Sequence, residues 1–255
     1  MSDRWDFYFH KIGESPASAF VDLGIRSEVP DARRPHLARV RLQMQVPRED
    51  GLSSSEESKI LSRLEDIFTE DLLRAYDSIY VWRPTACGYR EFCFYCPRPL
   101  EHSSITRALR AFPEYSFESQ IAEDPHWRHY LDVLYPSHEE MQAIKNSHVL
   151  CALEKHGDNH EVARPVRHWS FFKTDAHRQA FLSSVLEPGF SMNRLYEDES
   201  YEEPFVACLQ RTDSVDYETI NDVVVELLRL TEDHHGTYDG WETQVTYGSE
   251  ELEHD

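Results

Sequence analysis

One order of hydrophobic patterns occurs twice in this chain of 255 residues: strand, helix, strand, strand, helix, strand over residues 36–121, and the same again over residues 166–247. With right-handed crossovers, that order closes into a four-stranded antiparallel sheet carrying both helices on one face, the ferredoxin-like arrangement. The expected fold class is therefore α+β, with two βαββαβ domains. A chain of this length exceeds the roughly 100 to 150 residues of a common single domain, which agrees with two. The halves share no evident sequence identity, so the repeat is one of architecture.

In the first half, residues 5–12 and 17–25 read as two additional strands ahead of the repeat. Residues 36–46 alternate, with Leu37, Val40, Leu42, Met44 and Val46 set against Arg39, Arg41, Gln43 and Gln45, and a slip at Ala38 that predicts a bulge. Ser53 and Glu56 have the spacing of a capping box. The next helix carries Ile60, Leu61, Leu64, Ile67, Phe68, Leu72 and Tyr76 on one stripe. Residues 78–83 and 91–96 form a hairpin around Gly88, and a helix over 103–112 leads to a strand over 115–121.

Between the halves, Pro125 and Pro136 bracket a predicted helix. Ser137 and Glu140 make a second capping box, for a helix bearing Met141, Ile144, His148, Cys151 and Ala152. The polar stretch 155–165 reads as a linker. In the second half, strand 166–172 precedes helix 174–186, which carries Ala176, Ala180, Phe181 and Val185 and is stopped by Pro188-Gly189. Strands 190–196 and 205–211 come next. Helix 216–235 presents Ile220, Val223, Val224, Leu227 and Leu230 on one face, and strand 238–247 closes the pattern. At the last junction, Gly236 is expected to take the left-handed conformation that ends the helix, with His234 and His235 as cationic caps and Asp239-Gly240 redirecting the chain before Trp241. These limits predict an N-terminal α+β domain over 1–137, a connecting helix and linker over 138–163, a ferredoxin-like domain over 164–248 and an acidic tail over 249–255.

Charge narrows the function classes. The chain has 26 Lys and Arg against 47 Asp and Glu, net −21, and residues 141–255 hold 9 against 23, net −14. Such a surface repels phosphates and anionic lipids and draws basic proteins, so no direct nucleic-acid or membrane partner is expected. Its most concentrated patch is the loop bearing Glu197, Asp198, Glu199, Glu202 and Glu203, a candidate docking surface for an arginine-rich segment. Five cysteines without framework spacing, an N-terminus MSDRWDFYF with no basic-then-apolar signal pattern, and no apolar run near 18 residues point to a reducing cytoplasm.

The chemistry-bearing motifs each meet an objection. Cys93 and Cys96 lie in a strand at an odd spacing, which sends the sulfurs to opposite faces and argues for burial rather than metal or redox work. His156 with His160, and His234 with His235, lack good ligand geometry. Nucleophile elbows, phosphate-cradling glycine loops and HExxH helices are missing from the sequence. No catalytic residue, metal or cofactor is therefore expected. An enzyme reading would fall on His36, Arg39 and Glu49 near the first crossover.

His168-Trp169-Ser170-Phe171-Phe172, Pro188-Gly189-Phe190 and above all Tyr238-Asp239-Gly240-Trp241-Glu242 resemble the regulator of ribonuclease E activity B family over residues 164–248. Trp5-Asp6-Phe7-Tyr8, Pro47-Arg48-Glu49-Asp50-Gly51-Leu52, Asp124-Pro125, Trp127, Tyr130 and Leu134-Tyr135-Pro136 resemble a bacterial domain of unknown function that occurs joined to it. The resemblance implies a non-catalytic cytoplasmic inhibitor that binds the basic, disordered scaffold region of ribonuclease E and lowers RNA cleavage. The first domain is what simple members of that family lack. An immunity-type protein neutralising a basic toxin is the alternative use of the same acidic surface.

Overall fold

A computed structural model describes residues 2, 4–185 and 189–247. The chain divides into two compact units, Met1–Glu140 and Met141–Asp255.

The first unit is a six-stranded sheet. Strands β1 (Trp5–Ile12) and β2 (Ser15–Asp22) form a hairpin ahead of β3 (His36–Gln43), helix α1 (Ser55–Tyr76), β4 (Ile79–Ala86), β5 (Tyr89–Cys96), helix α2 (His102–Ala108) and β6 (Phe117–Glu123). The spatial order is β1-β2-β4-β5-β3-β6, all neighbours antiparallel. Its last four strands carry the ferredoxin order, and the hairpin extends the sheet beyond β4.

Alternation decides the faces. Ala38, Val40 and Leu42 of β3 and Phe92, Phe94 and Cys96 of β5 pack against Leu61, Leu64, Phe68, Leu72 and Tyr76 of α1. Ile60 and Ile67 lie outside that stripe and are exposed. Tyr95 points to the opposite face, where its ring stacks at 3.7 Å on Trp127.

Several expectations shift. The pairing of β3 with β5 and β6 runs without interruption, so Ala38 makes no bulge; the irregularity lies in β4, between Tyr80 and Trp82. Gly24–Ser27 is a 3-10 turn rather than an extension of β2. The first cap is one residue on: Ser54 accepts from Glu57 N at 3.3 Å, while the buried Glu57 carboxylate accepts from the backbone of Gln45 and Val46 and from Tyr115. Glu57 thus fastens strand end to helix start instead of closing a local box. The helix predicted between Pro125 and Pro136 is a single π turn, Tyr130–Leu134, preceded by Asp124, whose carboxylate accepts from Arg128 N and His129 N.

Helix α3 (His138–Lys155) opens with the reciprocal box the spacing predicts: Ser137 N donates to Glu140 at 2.8 Å and Glu140 N to Ser137 at 3.3 Å. Its buried face is Gln142, Ile144, Asn146, Leu150 and Leu153; His148, Cys151 and Ala152 are exposed. The apolar pattern misleads here because two amides, paired with each other and with Asn221, hold inward positions.

The second unit continues with β7 (Arg164–Phe172), α4 (Asp175–Val185), β8 (Ser191–Glu197), β9 (Phe205–Asp213), α5 (Tyr217–Asp233) and β10 (Gly236–Thr243), in the antiparallel order β10-β7-β9-β8, the ferredoxin-like sheet. Phe181, Leu182 and Val185 of α4 and Ile220, Val223, Val224, Leu227 and Leu228 of α5 fill the core over one face, whereas Ala176 and Ala180 are exposed. Asp216 caps α5 by accepting from Thr219 N at 2.9 Å. Within the stretch expected as a linker, the Asp158 side chain is fully buried, accepting from Arg164 and from Thr246 N. The expected end of α4 at Leu186 and Pro188 and the acidic tail 249–255 lie outside the described residues.

Candidate partner-binding surface of the second unit

Strand β7 sorts the first motif by alternation. Val166, His168, Ser170 and Phe172 are buried toward the helices, while Arg167, Trp169 and Phe171 stand on the opposite face. His168 Nδ1 lies 2.9 Å from the Tyr238 hydroxyl, and Ser170 meets Thr231 of α5 at 3.0 Å. Burial, helped by the Arg211 charge, pushes the His168 imidazole down to about 3, so it is neutral in the fold. His168 and Tyr238 are core residues.

The junction before β10 departs from expectation in an informative way. The left-handed residue is His235, with φ 59°, not Gly236. Gly236 is needed for a different reason: a Cβ there would sit 2.3 Å from the Phe172 ring and 2.6 Å from the Phe171 carbonyl oxygen. His234 is the cap residue of α5 through its backbone N–H, which donates to the Leu230 carbonyl at 3.3 Å; its imidazole meets Ser184 at 2.9 Å and that of His235 packs on His177.

Between Tyr238 and Gly240 the register with β7 shifts, because Asp239 is an inserted residue. This bulge reverses the side-chain parity of the rest of β10. Tyr238 faces the core opposite Ser170, Gly240 falls beside Trp169 on the other face, and Trp241 returns to the core opposite His168. There its Nε1 donates to Asn146 Oδ1 at 2.9 Å, and Asn146 Nδ2 donates to Asn221 at 2.9 Å. The bulge also opens a cleft of about 370 Å³, lined by Trp169, Asp239, Gly240, Trp241, Glu242 and the α3 residues Gln142, Lys145, Asn146 and Val149.

The helix-free face beyond the cleft is aromatic. Tyr196 lies 6.5 Å from Trp169, Tyr201 packs edge-on at 5.1 Å against Phe171, and the Arg194 guanidinium covers Tyr196 at 4.7 Å. Beneath them Val206 and Cys208 are fully buried, and burial raises the Cys208 thiol to about 11. The acidic loop adjoins this face through Tyr201. Glu197, Glu199 and Glu202 are exposed and Glu203 half-buried, whereas Asp198 organises the turn by accepting from Ser200 N at 3.0 Å. Hydrogen bonding by Ser200, its side chain first and its backbone N–H second, lowers the Asp198 carboxyl. Tyr196, Tyr201, Lys145 and Asn146 escape a motif-based reading; the outward parity of Trp169 and Phe171 is the sequence signal that leads to them.

In the first unit, His36, Arg39 and Glu49 do not converge. His36 and Arg39 fall on opposite faces of β3 by parity, and Glu49 is exposed beyond the strand's end. Arg39 and Arg41 instead hold the buried Glu91 carboxylate at 2.6 and 2.9 Å. Cys93 lies near Glu91 and Cys96 in the helix-facing core, the opposite faces that their spacing predicts. His156 bonds the Ala152 carbonyl and His160 approaches Asp158, so the two rings serve separate contacts. Among the described residues no group of three or more His, Cys, Asp or Glu is placed to hold a metal ion, and no helix is long and apolar enough to cross a membrane.

Residues 143–243 match the family described as regulator of ribonuclease activity B, and residues 3–135 match a family of unknown function, DUF695. No curated protein matches the chain. Among solved structures, an unknown protein from Galdieria sulphuraria aligns at 10% identity over 83% of this chain and 99% of its own, with a TM-score of 0.23. A candidate glycine cleavage system transcriptional repressor aligns at 8% identity over 82% and 98%, with a TM-score of 0.21. Likeness at that level bears on neither fold nor function. The chain belongs to the family of unknown function DUF695, which covers its first unit, and its second unit carries the match to regulator of ribonuclease activity B.

Proposed function

We propose that this protein is a non-catalytic, cytoplasmic regulator of a ribonuclease, acting by binding a basic protein segment through its second unit, with ribonuclease E as the target. The match of residues 143–243 to regulator of ribonuclease activity B carries this reading. The net charge of −14 on residues 141–255 and the exposed carboxylates of Glu197, Glu199 and Glu202 support a basic partner, since each carboxylate accepts a forked pair of hydrogen bonds from a guanidinium. Asp198 and Glu203 complete the docking loop, Asp198 by holding its turn.

The experiment is a titration of the full chain against the basic scaffold region of ribonuclease E at about 50 and about 300 mM salt. Binding that weakens severalfold at the higher salt is the expected result. Failure to bind at low salt, or binding indifferent to salt, refutes the reading.

A further inference from the structure

We infer that the cleft over Gly240 is a guanidinium pocket that takes an arginine side chain of the basic partner segment. The inference rests on the function proposed above and adds to it a site distinct from the acidic loop. Gly240, whose φ of 156° at the bulge favours glycine, lies beneath the cleft, and a Cβ there would meet no atom within 4 Å, so the space above the backbone is open. On one side stands half-exposed Trp169, brought beside Gly240 by the bulge, offering a flat ring. Asp239 and Glu242 add two exposed carboxylates to the lining, that of Glu242 already shared with Arg167. A planar cation that stacks on indole while forking onto carboxylates satisfies all three features; a lysine ammonium satisfies only the charge.

The same face already uses this chemistry within the chain. Arg167 Nη1 lies 3.1 Å from Glu242, and Arg194 stacks over Tyr196 at 4.7 Å. From α3 the lining also receives the exposed cation Lys145, which opposes an incoming positive charge and so tunes affinity downward.

The test uses the full chain and two short peptides of equal length and charge, one alternating arginine with serine and the other lysine with serine, titrated calorimetrically. The wild type binds the arginine peptide more tightly. Trp169→Leu weakens that binding about threefold to thirtyfold and removes the preference over lysine. Asp239→Asn with Glu242→Gln weakens it as well, and Lys145→Gln tightens it. The carboxylate pair is exposed, so those variants decide the matter if Trp169→Leu fails to fold. Folded variants that keep wild-type affinity and preference overturn the pocket while leaving the proposed function intact. A wild type that binds neither peptide yet binds the ribonuclease segment does the same, and one that binds none of the three overturns both. Single-stranded RNA binding lost with Trp169→Leu would assign the indole to nucleobases and overturn the pocket.

Discussion

His168 shows how far a motif residue's role depends on its surroundings. A histidine in a strand invites a ligand or catalytic reading, but at 1% exposure, bonded to Tyr238 and edge-on to Phe190, it is held neutral. Its folded pKa of about 3 lies below the ordinary 6.5 of the unfolded chain. Between those values the unfolded state binds a proton that the fold refuses, so the stability from this residue is complete above pH 6.5 and drains away as pH falls toward 3. Urea unfolding at pH 7 and pH 4 should therefore show the wild type losing about 3 kcal/mol more than His168→Gln. Equal losses would mean that His168 is protonated in the fold. Glu57 and Glu91 carry a related lesson. Both stand in amphipathic patterns as ordinary acids, yet each is buried against partners distant in the chain, backbone amides for one and two arginines for the other.

At the scale of elements, the passage from α5 to β10 is the most demanding joint. His235 takes the left-handed turn, Gly236 lets the strand approach Phe172, and the bulge at Asp239 sets the parity of Trp241. A methyl group at Gly236 would have to displace the Phe172 ring and a backbone carbonyl, the second of which cannot swing aside. Gly236→Ala should destabilise the second unit by about 1 to 3 kcal/mol, measured by chemical unfolding, the usual range for overpacking a filled core. A loss below about 0.5 kcal/mol, the size of an ordinary surface change, would show that β10 can shift away from β7 without penalty. Local signals make part of this joint legible: the periodicity of α5 and the glycines are in the sequence, whereas the shared face of Tyr238 and Trp241 follows from the bulge. Which residue turns left-handed is not legible either, because Gly236 is claimed by a contact with β7.

For the whole molecule, charge is the governing quantity. A formal net charge of −21 makes the compact state repel itself, and only local pairs such as Arg164 with the buried Asp158 offset it. Raising sodium chloride from about 20 to about 200 mM should lift the thermal midpoint by screening that repulsion. A falling midpoint would mean that the ion pairs outweigh the repulsion. The sequence by itself determined the order of elements and the Ser137–Glu140 cap, which depend on neighbours within a few positions, and the fold class, which follows from that order. Only the tertiary structure decided the buried face of α3, the Asn146 partner of Trp241 and the cleft over Gly240. These depend on Asn146 meeting Trp241 across 95 positions of chain and on a bulge defined against β7, and spacing along a sequence carries no information about such partners until the sheet has formed.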